Sequence, residues 1–299
     1  MPALRVQIPQ VGEICTLEQD GKPPVTVNVE YNMLATLKPD VAGPDGFSPY
    51  PGNINALLIR VSALADALDE SAGIVPEFVN PKYADERRTR FKSPARLECM
   101  MQDLPRVLAP GSAVGFVRLP RVMCKSSLKN NVKEARGRAA KSLPPECALS
   151  QDIDTCRCAK RVLEMAGGLV GAKVRIDCTD DPIAFLDIGI AAAPPLLALL
   201  PSWATSVSEA AHRCAGLRSF TMSARSALVL EGDVRLEGTI ELDGALVARA
   251  LPGETLTIRD ATVQNASWDR VASTDAENPN IAIRGYVIRR KETDERVTQ

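Results

Sequence analysis

The sequence is poor in aromatic residues and in histidine, and it has no excess of charge of either sign. Aromatic residues make up 4% of the 299 residues, His212 is the single histidine, and the formal net charge is −1. Without a basic excess the chain lacks the electrostatic footprint of a protein that binds nucleic acid or an anionic membrane, so neither partner is expected. A Ser-His-Asp hydrolase triad is also disfavoured, because His212 lies in an alanine-rich segment typical of a structural role.

Long apolar runs free of breakers are missing too. The most apolar stretch, residues 184–204, contains Asp187 and three prolines, which favours buried core or loop over a membrane span. The first residues lack the charged and apolar segments of a secretory signal, so a cytoplasmic location is expected. The eight cysteines are scattered, and the Cys156–Cys158 pair has no second pair, which predicts free thiols rather than a zinc site.

What is present is an ordinary globular composition with clear local signals. The length indicates about two domains. Residues 14–17 and 25–31 flank an Asp-Gly turn and predict a β-hairpin. In its second strand Thr26, Asn28 and Glu30 share the polar face, because successive side chains of a strand alternate.

Helix and strand signals then alternate up to residue 131. The apolar spacing predicts a helix that begins after Asn53 and ends at Gly73, followed by a strand at residues 74–79. A second helix is predicted from the Ser93-Pro94 pair, and a strand at residues 114–119. This order predicts an α/β layer with a largely parallel sheet. Ligands of such sheets gather at the carboxyl ends of strands.

Four polar residues stand where such a ligand would bind. Glu30, Lys82 and Lys129 are expected just beyond strand ends, and Asn53 at a helix N-terminus, where free N–H groups collect anions and hydroxyls. A solvated surface charge is the alternative interpretation for each charged residue.

The second half of the chain gives different signals. Residues 138–215 are typical of mixed helix, and the segment Gly167–Lys173 lacks the spacing of a phosphate-binding P-loop, so it predicts a helix-to-strand turn. From about residue 223 short alternating apolar runs, punctuated by Gly and Asp, predict a small all-β unit and favour a few coils of β-helix. The runs contain Leu228, Leu230, Val234, Leu236, Ile240, Leu242, Leu246, Leu256, Ile258, Val263, Ile281 and Ile283.

Several strings in the first half resemble the UDP-sugar pyrophosphorylases, which are UTP-monosaccharide-1-phosphate uridylyltransferases. They occur in the order and close to the spacing of that family. The strings are Asn28-Val-Glu-Tyr-Asn32, Gly46-Phe-Ser-Pro-Tyr-Pro-Gly-Asn-Ile-Asn55, Glu77-Phe-Val-Asn-Pro-Lys-Tyr83, Phe91-Lys-Ser-Pro-Ala-Arg-Leu-Glu-Cys-Met-Met-Gln-Asp103, Gly115-Phe116 and Lys129-Asn130-Asn131.

The resemblance implies a fold and a reaction. It implies a partial nucleotide-diphospho-sugar transferase domain, Rossmann-like and α/β, over residues 1–214, and a small left-handed β-helix-like domain over residues 215–299. It also implies the reaction of UTP with a monosaccharide 1-phosphate to give a UDP-sugar and pyrophosphate. Mg²⁺ is the implied cofactor, although no protein ligand for it is identifiable in the sequence.

The resemblance also implies roles for particular residues. Lys129 matches the phosphate-binding lysine of the family, and Glu30 and Asn53 match residues that hydrogen-bond the sugar hydroxyls. Gly52 would let the backbone approach the sugar closely. Lys82 would place charge near the sugar phosphate, with an ordinary surface salt bridge as the alternative.

One feature of the family is missing from the sequence. The Gly-rich loop that binds uridine and the triphosphate lies well upstream of the Asn-Val-Glu-Tyr string, and only 27 residues precede Asn28 here. The chain is therefore expected to represent the C-terminal half of a pyrophosphorylase. Three hypotheses follow: part of a uridylyltransferase, one half of a split enzyme, or a catalytically silent module that binds sugar phosphates or acts in protein interactions.

Overall fold

The computed structural model divides the chain into two compact units, residues 1–119 and 120–299. Helices and strands occur in both units and parallel sheets occur in the second, which confirms a mixed α/β fold. The structure describes residues 12–29, 50–79, 81–124, 126–179, 183–190, 192–275 and 277–291.

The first unit opens with the β-hairpin predicted from the Asp-Gly turn. Strands β1 (Glu13–Gln19) and β2 (Lys22–Val29) pair antiparallel. Gly21 in the turn has a φ of 74°, a left-handed conformation that glycine adopts without strain. Gly52 forms an antiparallel bridge with the first residue of β1, so the segment that contains Gly52 lies against the hairpin.

Helix α1 (Val61–Ser71) begins later than the apolar spacing predicts. The backbone N–H of Asn53 donates to the residue before β1, and Asn55 has a φ of 62°, so neither residue belongs to a right-handed helix. Leu58 is fully exposed, and no burial stabilises an earlier turn. The predicted start after Asn53 is wrong, whereas the predicted end at Gly73, which has a φ of 76°, is confirmed.

The helix predicted from Ser93-Pro94 is also wrong. Residues Leu97–Cys99 form strand β4, which pairs antiparallel with β3 (Glu77–Val79), and a 3-10 helix at Met101–Arg106 follows. Residues 114–119 do not form the predicted strand. Within the described residues of this unit both sheets are antiparallel pairs, so the parallel sheet expected here is not found.

The second unit is built around a long helix that leads into parallel strands. Its helices are α2 (Arg121–Cys124), α3 (Val132–Ala139), α4 (Ala148–Leu169), α5 (Val207–Arg213) and α6 (Pro279–Arg284). Between α4 and α5 lie β5 (Lys173–Ile176), the antiparallel pair β6 (Ile183–Phe185) and β7 (Ile188–Ile190), and β8 (Leu196–Leu199).

The segment Gly167–Lys173 forms the predicted helix-to-strand turn between α4 and β5. A Cβ atom at Gly167 would collide with the side chain of Val174, so only glycine lets the helix end approach the strand this closely. Gly167 therefore serves packing, whereas Gly171, with a φ of 73°, serves the turn.

Two parallel sheets dominate the rest of the unit. Their strands after α5 are β9 (Gly216–Met222), β10 (Ala227–Glu231), β11 (Asp233–Asp243), β12 (Ala245–Arg249) and β13 (Thr255–Gln264). One sheet has the order β13-β11-β9-β5 and the other the order β12-β10-β8. From β9 to β13 the chain alternates between the two sheets, and Ser219 of β9 pairs with Thr239 of β11, 20 residues further on.

The alternating apolar residues of these strands form the main core, as the sequence pattern predicts. Leu228, Val234 and Ile240 are completely or almost completely buried, and α4 and α5 pack against the same cluster. Residues 184–204 contribute to this core through β8 and the buried Trp203. No helix among the described residues is long and apolar enough to cross a membrane.

The chain returns to α4 after the parallel sheets. Strands β14 (Trp268–Ala272) and β15 (Tyr286–Arg290) pair antiparallel, with α6 between them. Ile281 and Ile283 therefore lie on a helix, and their assignment to a strand-like run is wrong.

Candidate functional site: the Asn53 and Lys129 loops

Asn53 is held against the hairpin by both its backbone and its side chain. Its N–H donates to the Gly12 carbonyl at 2.8 Å, and its Nδ2 donates to Oδ1 of Asn28 on β2 at 3.1 Å. Its own Oδ1 accepts a hydrogen bond from the N–H of Asn55 at 2.8 Å. Asn53 is thus half-buried in an ordered loop and not at the helix N-terminus that the sequence predicts.

The link between Asn53 and Asn28 fixes one side of a polar surface. Asn28 lies on the face of β2 that the alternation pattern assigns to Thr26, Asn28 and Glu30. Gly52, exposed and beside Asn53, lies at the same edge of the hairpin. Glu30 itself lies outside the described residues, so its role stays a prediction.

Lys82 lies on a short turn of the first unit that is closed by backbone pairing. The carbonyl of Lys82 accepts a hydrogen bond from the N–H of Lys92 at 2.7 Å, and the rings of Tyr83 and Phe91 pack at an angle of 43° with centroids 5.4 Å apart. The Lys82 side chain is exposed and forms no ion pair with any described residue. The structure places this cation beyond β3, as predicted.

Lys129 lies in a loop of the second unit, between α2 and α3. It does not follow a parallel strand, because residues 114–119 are not one, and this part of the expectation is wrong. The N–H groups of Lys129 and Asn130 both donate to the carbonyl of Glu146, at 2.8 and 3.0 Å. The ammonium group is exposed and forms no ion pair within the described stretches, so it is available to a phosphate.

Asn131 is the N-cap of α3 and forms a complete capping box. The side chain of Asn131 accepts from the N–H of Glu134 at 2.9 Å, and the Glu134 carboxylate accepts from the N–H of Asn131 at 3.4 Å. Two free N–H groups of the first turn are satisfied in this way. The strong start of α3 determines where the Lys129 loop ends.

Two buried cysteine thiols are poor candidates for catalysis. None of the eight cysteines, all of which lie within the described residues, forms a disulfide bond. Burial raises the pKa of Cys156, and burial raises the pKa of Cys214 to about 12. Because the thiolate is the reactive form, protonated buried thiols of this kind are poor nucleophiles.

The described residues contain no preformed metal cage. They include no group of three or more His, Cys, Asp or Glu side chains able to hold an ion. Mg²⁺ is commonly bound through one or two carboxylates together with substrate phosphates, so it stays an expectation from the resemblance.

Comparison with known proteins connects these loops to one group of enzymes. The chain is 31% identical over 293 residues to a protein named UDP-sugar pyrophosphorylase from Oryza sativa subsp. indica, covering 94% of this chain and 46% of that relative. A protein of the same name from Arabidopsis thaliana is 30% identical over 300 residues, covering 97% of this chain and 47% of the relative. The chain is homologous to UDP-sugar pyrophosphorylases. It spans about half the length of the curated relatives it matches, and no family model matches it.

Solved structures give a weaker likeness. A mutant UDP-glucose pyrophosphorylase from Leishmania major in complex with UDP-glucose matches 87% of this chain and 49% of its own chain, with 16% identity and a TM-score of 0.27. A second mutant of the same enzyme, also with UDP-glucose, gives 15% identity and the same TM-score.

The homology confirms the resemblance read from the strings, whereas the convergence of the predicted residues stays a prediction. The structure brings Gly52 and Asn53 together beside β1 and β2, places Lys82 on a separate turn of the same unit, and places Lys129 in the other unit. The sequence interpretation missed the supporting partners Asn28 and Glu146. The shared face of Asn28 and Glu30 was the available signal for the first, and no local signal existed for the second.

Proposed function

We propose that the chain carries the sugar-phosphate side of a uridylyltransferase active site. The reaction joins UTP and a monosaccharide 1-phosphate into a UDP-sugar and releases pyrophosphate. The observation that supports this most is the 31% identity to a UDP-sugar pyrophosphorylase over 94% of the chain.

Catalysis of this reaction requires mainly that the two reactants are positioned and that their negative charge is neutralised. A phosphate oxygen of the sugar 1-phosphate attacks the α-phosphorus of UTP in line, the bond to the bridging oxygen breaks, and pyrophosphate leaves with the electron pair. Two phosphate-bearing reactants repel each other as they approach. In this proposal the exposed ammonium of Lys129 lies between them and lowers that repulsion.

The first unit supplies the sugar contacts in this proposal. Asn53 and Glu30 hydrogen-bond the sugar hydroxyls, with the Asn28 amide fixing the orientation of the Asn53 side chain. Gly52 lets the sugar approach the backbone, and Lys82 adds positive charge near the phosphate. Mg²⁺ belongs to the proposal through the resemblance alone.

The domain assignment is proposed on the same basis. Residues 1–214 form the partial nucleotide-diphospho-sugar transferase domain, and residues 215–299 form the left-handed β-helix-like domain. The alternation of β9 to β13 between two parallel sheets supports the second part, because successive coils of a β-helix pair in this way. The proposed boundary, between residues 214 and 215, falls one residue before Gly216, where β9 begins.

Large apolar side chains are exposed in the first unit, which favours a further polypeptide segment that covers them. Leu58, Val61 and Val117 are 103%, 80% and 82% exposed, which is unusual for large apolar residues in one small unit. The matched relatives are about twice as long as the matched region. We propose that an N-terminal half of the relatives' kind, supplied in the same chain or separately, covers this surface and binds the nucleotide. Cytoplasmic location and the absence of nucleic-acid and membrane partners are part of the proposal.

An assay of pyrophosphate release with UTP and a panel of sugar 1-phosphates tests the proposed function. We expect no turnover by the chain alone, and turnover after addition of the part of the Arabidopsis relative that this chain does not match. Turnover by the chain alone would contradict the need for a second segment. Binding of a sugar 1-phosphate with no turnover under any condition would favour the catalytically silent module.

A further inference from the structure

Glu146 bonds the backbone of Lys129, and Arg138 forms an ion pair with Glu146. The Glu146 carbonyl accepts two hydrogen bonds, from the N–H of Lys129 at 2.8 Å and from the N–H of Asn130 at 3.0 Å. The Asn130 side chain adds a third bond, from Nδ2 to the Pro145 carbonyl at 2.9 Å. We propose that Arg138 and Glu146 are positioning residues for Lys129, an inference that rests on the proposed phosphate-binding role of that lysine.

The backbone at Glu146 needs external support. Its φ of 49° lies in the left-handed region, which costs a residue with a side chain free energy and persists when neighbouring contacts hold it. Arg138 supplies those contacts, because its Nη2 lies 3.2 Å from Oε2 of Glu146 and its Nε donates to the Pro144 carbonyl at 2.7 Å. The Glu146 side chain is 17% exposed, so this ion pair is largely shielded from solvent.

These contacts link the two ends of α3. Lys129 and Asn130 precede the helix, and Arg138 lies in its last turn. Arg138 holds the segment after the helix, in which the Glu146 carbonyl accepts from the N–H groups of Lys129 and Asn130. The capping box at Asn131 fixes the start of the same helix. Helix α3 therefore connects Lys129, which lies before its first turn, to Arg138 in its last turn.

The consequence is a lysine whose backbone is ordered before any ligand binds. The Lys129 ammonium is exposed, whereas the Arg138 guanidinium is occupied by Glu146 and the Pro144 carbonyl. A charged group held in place in advance stabilises phosphate charge without reorganising at the moment of reaction. Loss of these contacts would leave the charge of Lys129 intact and remove its fixed position.

Titration of the labelled full chain with inorganic pyrophosphate, followed by NMR, tests the inference without requiring turnover. The variants are Arg138→Ala, Glu146→Gln and Lys129→Ala. Arg249→Ala is the matched control, because Arg249 pairs with Glu231 at 2.7 Å on a sheet edge and makes no contact with the Lys129 loop. Amide hydrogen exchange at Lys129 and Asn130 and the thermal midpoint are measured for each protein.

We expect Arg138→Ala to raise the Kd for pyrophosphate roughly 10-fold, as misplacement of a single charged group does, and to speed exchange at Lys129 and Asn130. Glu146→Gln should have a smaller effect in the same direction, and Arg249→Ala none. A lower thermal midpoint in Arg138→Ala with an unchanged Kd would overturn the inference, because the role would then be structural only. If Lys129→Ala weakens binding but Arg138→Ala does not, the inference fails and the proposed role of Lys129 stands. If Lys129→Ala leaves the Kd unchanged, or the wild-type chain does not bind pyrophosphate, both fail together.

Discussion

Replacement of Tyr286 by phenylalanine should destabilise the second unit through the loss of one buried hydrogen bond. The Tyr286 hydroxyl donates to Oδ2 of Asp152 on α4 at 2.6 Å, and Nη2 of Arg284 donates to the same oxygen at 3.2 Å. Tyr286 is completely buried, and its ring meets Phe185 edge-on with centroids 5.6 Å apart. This group joins the C-terminal hairpin to the long helix.

The cost of Tyr286→Phe follows from the contacts that remain. A hydrogen bond to a charged group contributes about 1.5–3 kcal/mol. Because Asp152 keeps its bond with Arg284, we expect a loss near the lower end, about 2 kcal/mol at neutral pH. For a unit of this size that corresponds to a thermal midpoint lower by about 4–8 °C.

The same variant predicts a dependence on pH. Burial, together with the hydrogen bond to Asp152, raises the pKa of Tyr286 to about 12, whereas an unfolded tyrosine titrates near pH 10. A raised pKa in the folded state stabilises the protein below the unfolded pKa, and this stability is lost as the pH rises towards 12. The advantage of wild type over Tyr286→Phe should therefore shrink by about 1 kcal/mol near pH 11, after allowance for solvent screening. Cys214 titrates in the same window but is present in both proteins, so it cancels.

Urea denaturation at about pH 7, 10 and 11 measures both effects. Tyr83→Phe is the control, because the Tyr83 hydroxyl makes no hydrogen bond within the described residues and the variant should match wild type at neutral pH. Equal stability of Tyr286→Phe and wild type at pH 7, or a difference that stays constant to pH 11, would refute this reasoning.

Three further experiments test the site and the packing. In a reconstituted enzyme Lys129→Ala should lower kcat/KM by on the order of 10²–10³-fold, and a loss below about threefold would contradict its role. Gly167→Ala should lower the free energy of unfolding by about 1–3 kcal/mol through overpacking against β5, whereas Gly168→Ala, whose Cβ has open space, should be neutral or slightly stabilising in the same denaturation assay. Asn53→Ala and Asn28→Ala should each weaken sugar 1-phosphate binding, and a double-mutant cycle should show that the two losses are not additive; full additivity would show that the amide–amide bond does not support the site.

Local signals in the sequence predicted local structure well. Three features depend on a backbone conformation that few residue types adopt: the Asp-Gly turn, the helix end at Gly73 and the turn at Gly167–Lys173. The residue types at these positions therefore predict the conformation. The alternating runs after residue 223 were equally informative, because one buried face of a strand requires an apolar residue at every second position.

The errors arose where a distant partner decides the local conformation. Leu97–Cys99 has apolar residues at helical spacing to its neighbours, yet it forms a strand because Glu77–Val79 offers its backbone groups for pairing. The early start predicted for α1 failed for a related reason, since the backbone near Asn53 bonds to the start of β1 instead of to its own helix. Propensity is a weak prior, and long-range pairing overrides it.

The candidate site shows the same division between chemistry and support. The residues proposed to contact a sugar phosphate could be named from the strings that resemble the UDP-sugar pyrophosphorylases, because those strings contain the side chains themselves. The residues that hold them in place could not be named in this way. The carbonyl that accepts from Lys129 could belong to any residue type, and that of Glu146 reaches Lys129 only through a left-handed turn that Arg138 holds. A backbone carbonyl has no side-chain signature. The position of a functional charge is therefore the part of a site that requires a structure, and for Lys129 that position depends on two residues that the strings do not contain.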